Sequence, residues 1–103
     1  MSHASIVRVG NAVLQFKYRR ARFNGSEVKL TEKENKALET LVRHGGVVPR
    51  MTLCAALYSE IGFWPASLRH VDPHICRVRR KLEGSGIHIH AVYRKGYRLV
   101  VAD

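Results

Sequence analysis

The chain has 103 residues, which is enough for one domain with a modest hydrophobic core. Hydrophobic residues make up 46% of it and charged residues 25%, a composition that excludes an intrinsically disordered chain. Lysine and arginine outnumber aspartate and glutamate by 18 to 8, so the formal net charge is +10. This excess indicates a polyanionic partner, and DNA, RNA or an acidic membrane surface would all satisfy it.

Residues 1–30 contain short β-prone runs separated by the turn signals Gly10-Asn11 and Asn24-Gly25. They predict an N-terminal antiparallel sheet of three or four strands. The basic run from Lys17 to Arg20 interrupts this pattern. We interpret it as a solvated edge that discourages strand-to-strand aggregation, with a direct phosphate contact as the alternative.

Residues 31–83 carry the signals of three helices. Thr31 and Glu34 have the spacing of a capping box, so a helix is expected to begin there and to end at Gly45-Gly46. Val47-Val48 is a short extended connector. Pro49 suits the first turn of a second, short helix that ends near residue 58 or 61.

The segment 59–67 combines glycine and proline with two large aromatic residues, Phe63 and Trp64. It is predicted to be a loop whose rings cover the junction of the second and third helices. The functional alternative is a docking loop for RNA polymerase or another regulator, because exposed aromatic side chains are frequent binding hot spots.

The third helix, over about residues 70–83, has an apolar face and a basic face. Asp72 is the preferred N-cap, with Pro73 in the first turn; an earlier start with a bend is the alternative. The two faces follow from residues at intervals of three and four: Val71, Ile75, Val78 and Leu82 on one, and His70, His74, Arg77 and Lys81 on the other. Such a helix fits the DNA major groove, where an arginine can bond a guanine bidentately.

Residues 87–101 predict a C-terminal β-hairpin, with strands at 87–92 and 97–101. The connection from Tyr93 to Gly96 gives this hairpin a basic tip.

Three segments resemble the OmpR/PhoB class of bacterial transcriptional regulators. They are LTEKENKALETLVRHGGVV, VDPHICRVRRKL and AVYRKGYRLV, which contain that family's LTxxE helix start, its VDxHIxxxRxKL recognition helix and its GYR-containing wing. The resemblance covers almost the whole chain. It implies an α+β fold in which residues 1–103 form a single winged helix-turn-helix domain. This domain would consist of an N-terminal antiparallel sheet, three helices and a C-terminal wing hairpin.

The resemblance also implies a role for individual residues. Arg77 would read bases, and the wing tip would reach the adjacent minor groove. The arginine at the start of the second helix would bond a phosphate with the help of the helix dipole. The full set of implied DNA-binding residues is Arg50, Arg69, His74, Arg77, Arg79, Arg80, Lys81, Tyr93, Arg94 and Lys95.

The chain departs from the family pattern at Pro73, where a β-branched residue is common, and at Cys76, where a polar or basic one is frequent. Family proteins also usually carry an N-terminal receiver domain, which nothing in this sequence supplies. The chain is therefore expected to be a stand-alone regulator or an excised effector domain, and the start MSHAS favours the first. Family members tend to bind direct repeats as head-to-tail pairs, so the same pairing is expected here.

Other chemistries find little support in the sequence. His88 with His90, and His70 with His74, lack a third ligand at a recognised spacing, so no metal site or cofactor is predicted. The acidic residues are scattered, and no nucleophile has a matching base, so no enzyme is predicted. Cys54 and Cys76 are expected to be buried free thiols in a reducing compartment.

The function predicted from these features is sequence-specific binding of double-stranded DNA by a transcriptional regulator. The alternatives are a protein-interaction module that uses the 59–67 loop, and a non-specific nucleic-acid binder. No segment approaches the ~18 apolar residues of a membrane span or has the layout of a signal peptide, so we expect a cytoplasmic, nucleoid-associated protein.

Overall fold

A computed structural model describes residues 6–102. The predicted outer boundaries at residues 1 and 103, and the MSHAS start, lie outside the described residues. The elements, in chain order, are β1 (Ile6–Val9), β2 (Ala12–Gln15), β3 (Arg20–Phe23), β4 (Ser26–Lys29), α1 (Glu32–His44), β5 (Val47–Val48), α2 (Arg50–Tyr58), α3 (Asp72–Lys81), β6 (Ile87–Val92) and β7 (Gly96–Val101). Short 3₁₀ turns cover Phe16–Tyr18, Ser59–Ile61 and Leu68–Val71. The predicted α+β winged-helix architecture is confirmed.

The N-terminal sheet is a four-stranded antiparallel meander in the order β1-β2-β3-β4. Asn24 and Gly25 both have positive φ, 52° and 74°, as a tight hairpin turn between twisted strands requires. The register aligns Val7, Leu14, Ala21 and Val28 in one row across the sheet. Leu14 and Ala21 in this row are fully buried, so the row faces the core.

Helix α1 begins at the predicted capping box. The backbone N–H of Glu34 donates to Oγ1 of Thr31 over 3.1 Å, and the Thr31 N–H donates to Oε1 of Glu34 over 3.0 Å. Gly45, with φ 65°, ends the helix as predicted.

The predicted start of α3 is wrong by one residue. Val71 is the N-cap, Asp72 is the first helical residue, and a 3₁₀ turn over Leu68–Val71 leads into the helix. The physical reason is that the Asp72 carboxylate accepts hydrogen bonds from Arg50 and Tyr97 instead of from the N–H groups of its own helix. Pro73 then lies in the first turn, where a missing N–H loses no hydrogen bond.

A second sheet, in the order β5-β7-β6, carries the predicted wing. The predicted connector at Val47–Val48 is strand β5, which pairs with Tyr97 and Arg98 of β7. The wing is therefore anchored to the helical core between α1 and α2.

The core contains the apolar residues predicted for α3, with Ile75, Val78 and Leu82 buried. Cys54 is buried and Cys76 is exposed, and both are free thiols, so the prediction that Cys76 is buried is wrong. Its sequence neighbours are apolar, but the helical turn places Cys76 on the opposite side from Val78. Within residues 6–102, no helix is both long and apolar enough to cross a membrane.

Candidate nucleic-acid interface

Helix α3 and the wing present most of the cations that the sequence singled out. Among the residues predicted to bind DNA, Arg50, His74 and Lys81 are half-buried. The exposed ones are Arg69, Arg77, Arg79, Arg80, Tyr93, Arg94 and Lys95. His70 is also exposed, and its Nδ1 lies 3.1 Å from the carbonyl of Ser67. The basic residues predicted for α3 therefore lie on the side of the helix that faces away from the core. They differ in whether their side chains also contact other parts of the fold.

The side chains of Arg77 and Lys81 converge on Glu34, which is fully buried at the start of α1. Nε of Arg77 donates to Oε2 over 3.3 Å, and Nζ of Lys81 donates to Oε1 over 2.6 Å. Burial raises the pKa of Glu34, but the hydrogen bonds from Lys81 and Thr31 and the charge of Arg77 lower it on balance. Glu34 is therefore an ionised carboxylate that fixes two cations of α3.

His74 holds Arg77 from a second direction. Nη2 of Arg77 lies 3.1 Å from Nδ1 of His74, and the hydroxyl of Tyr58 lies 3.3 Å from Nε2 of the same ring. Since arginine can only donate, Nδ1 accepts and the Nε2–H donates to Tyr58, which describes a neutral imidazole. Burial, followed by the charges of Arg77 and Lys33, lowers the pKa of His74, in agreement with this neutral form.

Asp72 joins the start of α2 to the base of the wing. Its carboxylate accepts from Nε of Arg50 over 3.0 Å and from the hydroxyl of Tyr97 over 2.6 Å. The Arg50 guanidinium also lies 5.1 Å from the centre of the Tyr97 ring. Arg50, predicted as a phosphate contact, thus has a structural role in the described chain, and Tyr97 packs at the base of the wing.

Arg79 reaches from α3 to the wing sheet. Its Nε donates to the carbonyl of Ile89 over 2.7 Å, and its guanidinium lies 5.5 Å from the Tyr97 ring. The exposed cation Arg80 lies one position further along the helix. Arg79 therefore fixes the position of α3 relative to the wing, and the face between it and Arg77 stays open to solvent.

The wing tip is the most exposed part of the candidate interface. Tyr93 is 81% exposed, and the Arg94 guanidinium lies 5.1 Å from its ring centre. The Lys95 N–H donates to the carbonyl of Val92 over 2.9 Å and closes the turn, which leaves the Lys95 side chain in solvent.

The loop between α2 and α3 covers the helix junction only in part. Phe63 and Trp64 are 53% and 52% exposed, although the Phe63 ring packs edge-on against Tyr58 with centroids 5.5 Å apart. The loop leaves both rings accessible to another molecule.

The histidine pairs do not assemble with other ligands. Among residues 6–102, no group of three or more His, Cys, Asp or Glu side chains is arranged to hold a metal ion. His88 and His90 lie on one exposed face of β6, with ring centroids 6.2 Å apart. They line a groove of about 580 Å³ between α3 and β6, together with Cys76 and Arg80.

Two residues of the site were not predicted as such. The capping-box motif identified Glu34 as a helix cap, and its role toward α3 depends on a contact 43 residues away along the chain. Tyr58 was predicted as the end of α2 and not as the partner of His74. The one available signal in the sequence was spacing, because Glu34 lies three and four positions before the apolar residues Ala37 and Leu38 and so falls on the same side of α1.

Comparison with known proteins identifies the family of this chain. Residues 25–99 match the family described as "Transcriptional regulatory protein, C terminal". The chain is 32% identical over 99 residues to the cell cycle transcriptional regulator CtrA of Caulobacter vibrioides, covering 92% of this chain and 42% of the relative. It is 31% identical over 103 residues to the cell cycle response regulator CtrA of Brucella anthropi, covering 96% and 44%. The chain thus spans less than half the length of these curated relatives.

Two known structures have the same fold. The DNA-binding domain of CpxR from E. coli aligns with a TM-score of 0.76 and 29% identity, over 95% of this chain and 98% of that one. The RstA DNA-binding domain of Klebsiella pneumoniae, determined in complex with the RstA box, aligns with a TM-score of 0.74 and 25% identity, over 94% and 96%. Both of these proteins are DNA-binding domains, and the matched family is one of transcriptional regulators and not of enzymes. The chain therefore belongs to the OmpR/PhoB-type family of transcriptional-regulator DNA-binding domains.

Proposed function

We propose that this domain binds duplex DNA sequence-specifically, with α3 in the major groove and residues 93–96 at the adjacent minor groove. The observation that carries the proposal is the arrangement around Arg77. Glu34 and His74 each bond this guanidinium, yet the side chain remains 48% exposed. An arginine that is already oriented loses less conformational freedom when it bonds a guanine bidentately.

The other cations serve the phosphate backbone in this proposal. Arg80 on α3 and Arg69 in the 3₁₀ turn before it are both exposed, and phosphate contacts from such positions fix the register of the helix in the groove. His74, Arg79, Lys81 and Arg50 already have partners within the fold. Arg79, Lys81 and Arg50 would reach phosphates only with the N–H groups that these partners leave unused. The one N–H of neutral His74 already donates to Tyr58, so His74 would act near the DNA by orienting Arg77.

The wing would contribute charge at the minor groove. Arg94 and Lys95 follow Tyr93 in the turn between β6 and β7, and both side chains are exposed. The negative potential of a narrow minor groove attracts such side chains. The pairing of two copies head-to-tail on a direct repeat completes the proposal. The RstA domain, which is similar to this chain and was determined with its box DNA, supports duplex DNA as the partner.

Selection from a random duplex library tests this function. The expected result is an enriched motif, with two half-sites about one helical turn, ~10 base pairs, apart. The selected duplex should bind roughly 10³-fold or more tightly than a scrambled one at physiological salt. Binding without enrichment would show a non-specific nucleic-acid binder and would contradict the proposal.

A second candidate function is docking of RNA polymerase or another regulator through the 59–67 loop. The exposure of Phe63 and Trp64 favours it, because aromatic rings that are half in solvent are frequent hot spots at protein interfaces. In a transcription assay, Trp64→Ala would then abolish regulation without weakening DNA binding. If docking alone were the function, Arg77→Ala would leave regulation intact.

A further inference from the structure

We infer that the outer face of the N-terminal sheet is a second, sequence-independent binding surface for the phosphates of flanking duplex DNA. We call it the outer sheet face, and it consists of Arg8, Arg20, Arg22, Glu27 and Lys29. The inference rests on the proposed function, because it assigns this face to the DNA that continues beyond the site read by α3.

The register defines the outer sheet face. Two rows of cross-strand neighbours lie on the side of the sheet opposite the buried row of Leu14 and Ala21: Ile6, Gln15, Arg20 and Lys29 in one, and Arg8, Val13, Arg22 and Glu27 in the other. Four of the five charged residues of the outer sheet face are basic, and one, Glu27, is acidic. The face therefore carries a strong positive charge that the fold itself does not neutralise.

This charge is unfavourable for the isolated protein. Arg20 and Lys29 are direct cross-strand partners, and like charges at such positions, with Cβ atoms about 5 Å apart, destabilise a sheet. Glu27 compensates only in part, at 3.7 Å from Arg20 and 4.0 Å from Arg22. A solvated edge that serves only to prevent aggregation does not require two cations to oppose each other. A polyanion on this face would remove the repulsion.

An aromatic residue lies beside the cations. Tyr18, in the turn that connects β2 to β3, is 57% exposed, and the guanidinium of Arg20 lies 5.0 Å from its ring centre. Lys17 approaches the same ring at 5.8 Å. A phenolic hydroxyl held among cations is a suitable donor to a phosphate oxygen.

The outer sheet face begins next to the recognition helix. Nζ of Lys81, near the end of α3, donates to the carbonyl of Lys29 over 2.9 Å. From Lys29 the row crosses the sheet in steps of about 4.8 Å per strand. The face is thus continuous with one end of the proposed DNA interface, so a duplex that leaves the major-groove site in that direction is the occupant closest to it.

A second copy of this chain is a poor occupant of the same face. Of its eight acidic residues, six already form ion pairs within the chain: Glu27, Glu32, Glu34, Glu39, Glu60 and Asp72. A copy therefore has few carboxylates left with which to neutralise the outer sheet face. The phosphates of duplex DNA supply one charge per ~1.7 Å of helix axis.

Duplex length provides the test. The longest extent of the molecule is 39 Å, which corresponds to about 11 base pairs. Binding is measured across salt on a short duplex of ~12 base pairs that carries one half-site, and on the same duplex extended by ~10 base pairs without a second half-site at either end, with one copy bound per duplex. For the wild type we expect one of the two extensions, and not the other, to steepen the dependence of log K on log salt by about two units.

Variants then test whether the outer sheet face causes this extra salt dependence. In Arg22→Gln/Lys29→Gln the extra slope should disappear, so that between 50 and 200 mM salt the wild type loses about tenfold more affinity than the variant. Glu27→Gln removes the acidic residue of the face and should increase the slope. Lys29→Gln alone should lose about one of the two units of extra slope. Arg43→Gln, which removes one cation that pairs with Glu39 on α1, is its charge-matched control and should retain the whole increment. Thermal melting checks that each variant is folded, and Lys29→Gln should melt no lower than the wild type.

The outcomes separate this inference from the proposed function. If the wild type prefers its selected site but both extensions leave the slope unchanged, the outer sheet face does not bind DNA and the inference is overturned. If the variant loses the increment only on RNA duplexes of equal length, the face is an RNA surface and the assignment to DNA is wrong. If sequence preference is absent but extension at either end steepens the slope and the variant loses that increment, the proposed function fails and the inference stands.

Discussion

The carboxylate of Glu34 on α1 accepts a hydrogen bond from Nε of Arg77 on α3 over 3.3 Å. The carboxylate is fully buried, whereas the Arg77 side chain is half exposed. Removing a buried carboxylate from water is costly unless its oxygens are bonded, and here Thr31, Lys81 and Arg77 supply those bonds. The contact thus joins the first turn of α1 to the residue proposed to read bases.

Replacing Glu34 with glutamine should destabilise the domain by about 1–3 kcal/mol at neutral pH, because two charge-assisted hydrogen bonds lose their anion. The pKa of Glu34 is lowered in the fold, so its stabilising contribution is complete above the ordinary value of 4.5 and disappears as the pH falls through the lower folded value. Denaturant unfolding of wild type and Glu34→Gln at pH 7 and pH 3 should therefore show a difference that shrinks in acid. A difference that is constant across this range would contradict the assignment of Glu34 as an ionised residue.

Arg77→Ala should weaken binding to the selected duplex by about 1–3 kcal/mol and flatten the base preference at one position. The reason is that a bidentate contact to one base pair is lost while the phosphate contacts of α3 and the wing remain. Competition with duplexes that carry each of the four base pairs at each position measures the effect. A loss of equal size on every sequence would identify Arg77 as a phosphate contact.

Local signals in the sequence were sufficient to predict the elements of this fold. The capping box at Thr31, the Asn24-Gly25 turn and the apolar spacing of α3 each depend on residues a few positions apart. The errors lie where distant residues compete for the same group. Asp72 was predicted as an N-cap from its neighbour Pro73, but Arg50 and Tyr97 bind its carboxylate from 22 and 25 residues away.

The candidate site shows the same limit. Periodicity correctly placed His74, Arg77 and Lys81 on one face of α3, and it gave no means of distinguishing solvent from a buried carboxylate beside that face. Cys76 illustrates the opposite case, because apolar neighbours in sequence suggested burial for a residue that the helix exposes. Contacts between α1 and α3 decide the first case, and these form only when the helices pack. The exposure of Cys76 follows from the helical turn alone, which places it opposite Val78.

Gly96→Ala should destabilise the domain by about 2–4 kcal/mol, because a side chain there has no space. A Cβ on Gly96 would lie 2.0 Å from the carbonyl oxygen of Val48 and 2.9 Å from Cα of Pro49, and these backbone atoms cannot rotate away. Gly25→Ala is the matched control, since Gly25 also has positive φ but its Cβ would meet no atom within 4 Å. Denaturant unfolding should show a cost of about 1–2 kcal/mol for the control, which reflects backbone strain alone. Equal losses of stability in the two variants would mean that the backbone of Val48 and Pro49 moves away from the added Cβ at little energetic cost.

Lys95→Ala should reduce the salt dependence of DNA binding by about one unit on every duplex and leave the base preference unchanged. The Lys95 side chain is exposed, and the wing turn is closed by its backbone N–H, which alanine retains, so the variant removes a cation without altering the turn. Measuring log K against log salt on the selected and scrambled duplexes separates this effect from that of Arg77→Ala, which acts mainly on the selected duplex. An unchanged slope in Lys95→Ala would exclude this side chain from the interface and leave α3 as the part of the domain that holds the DNA.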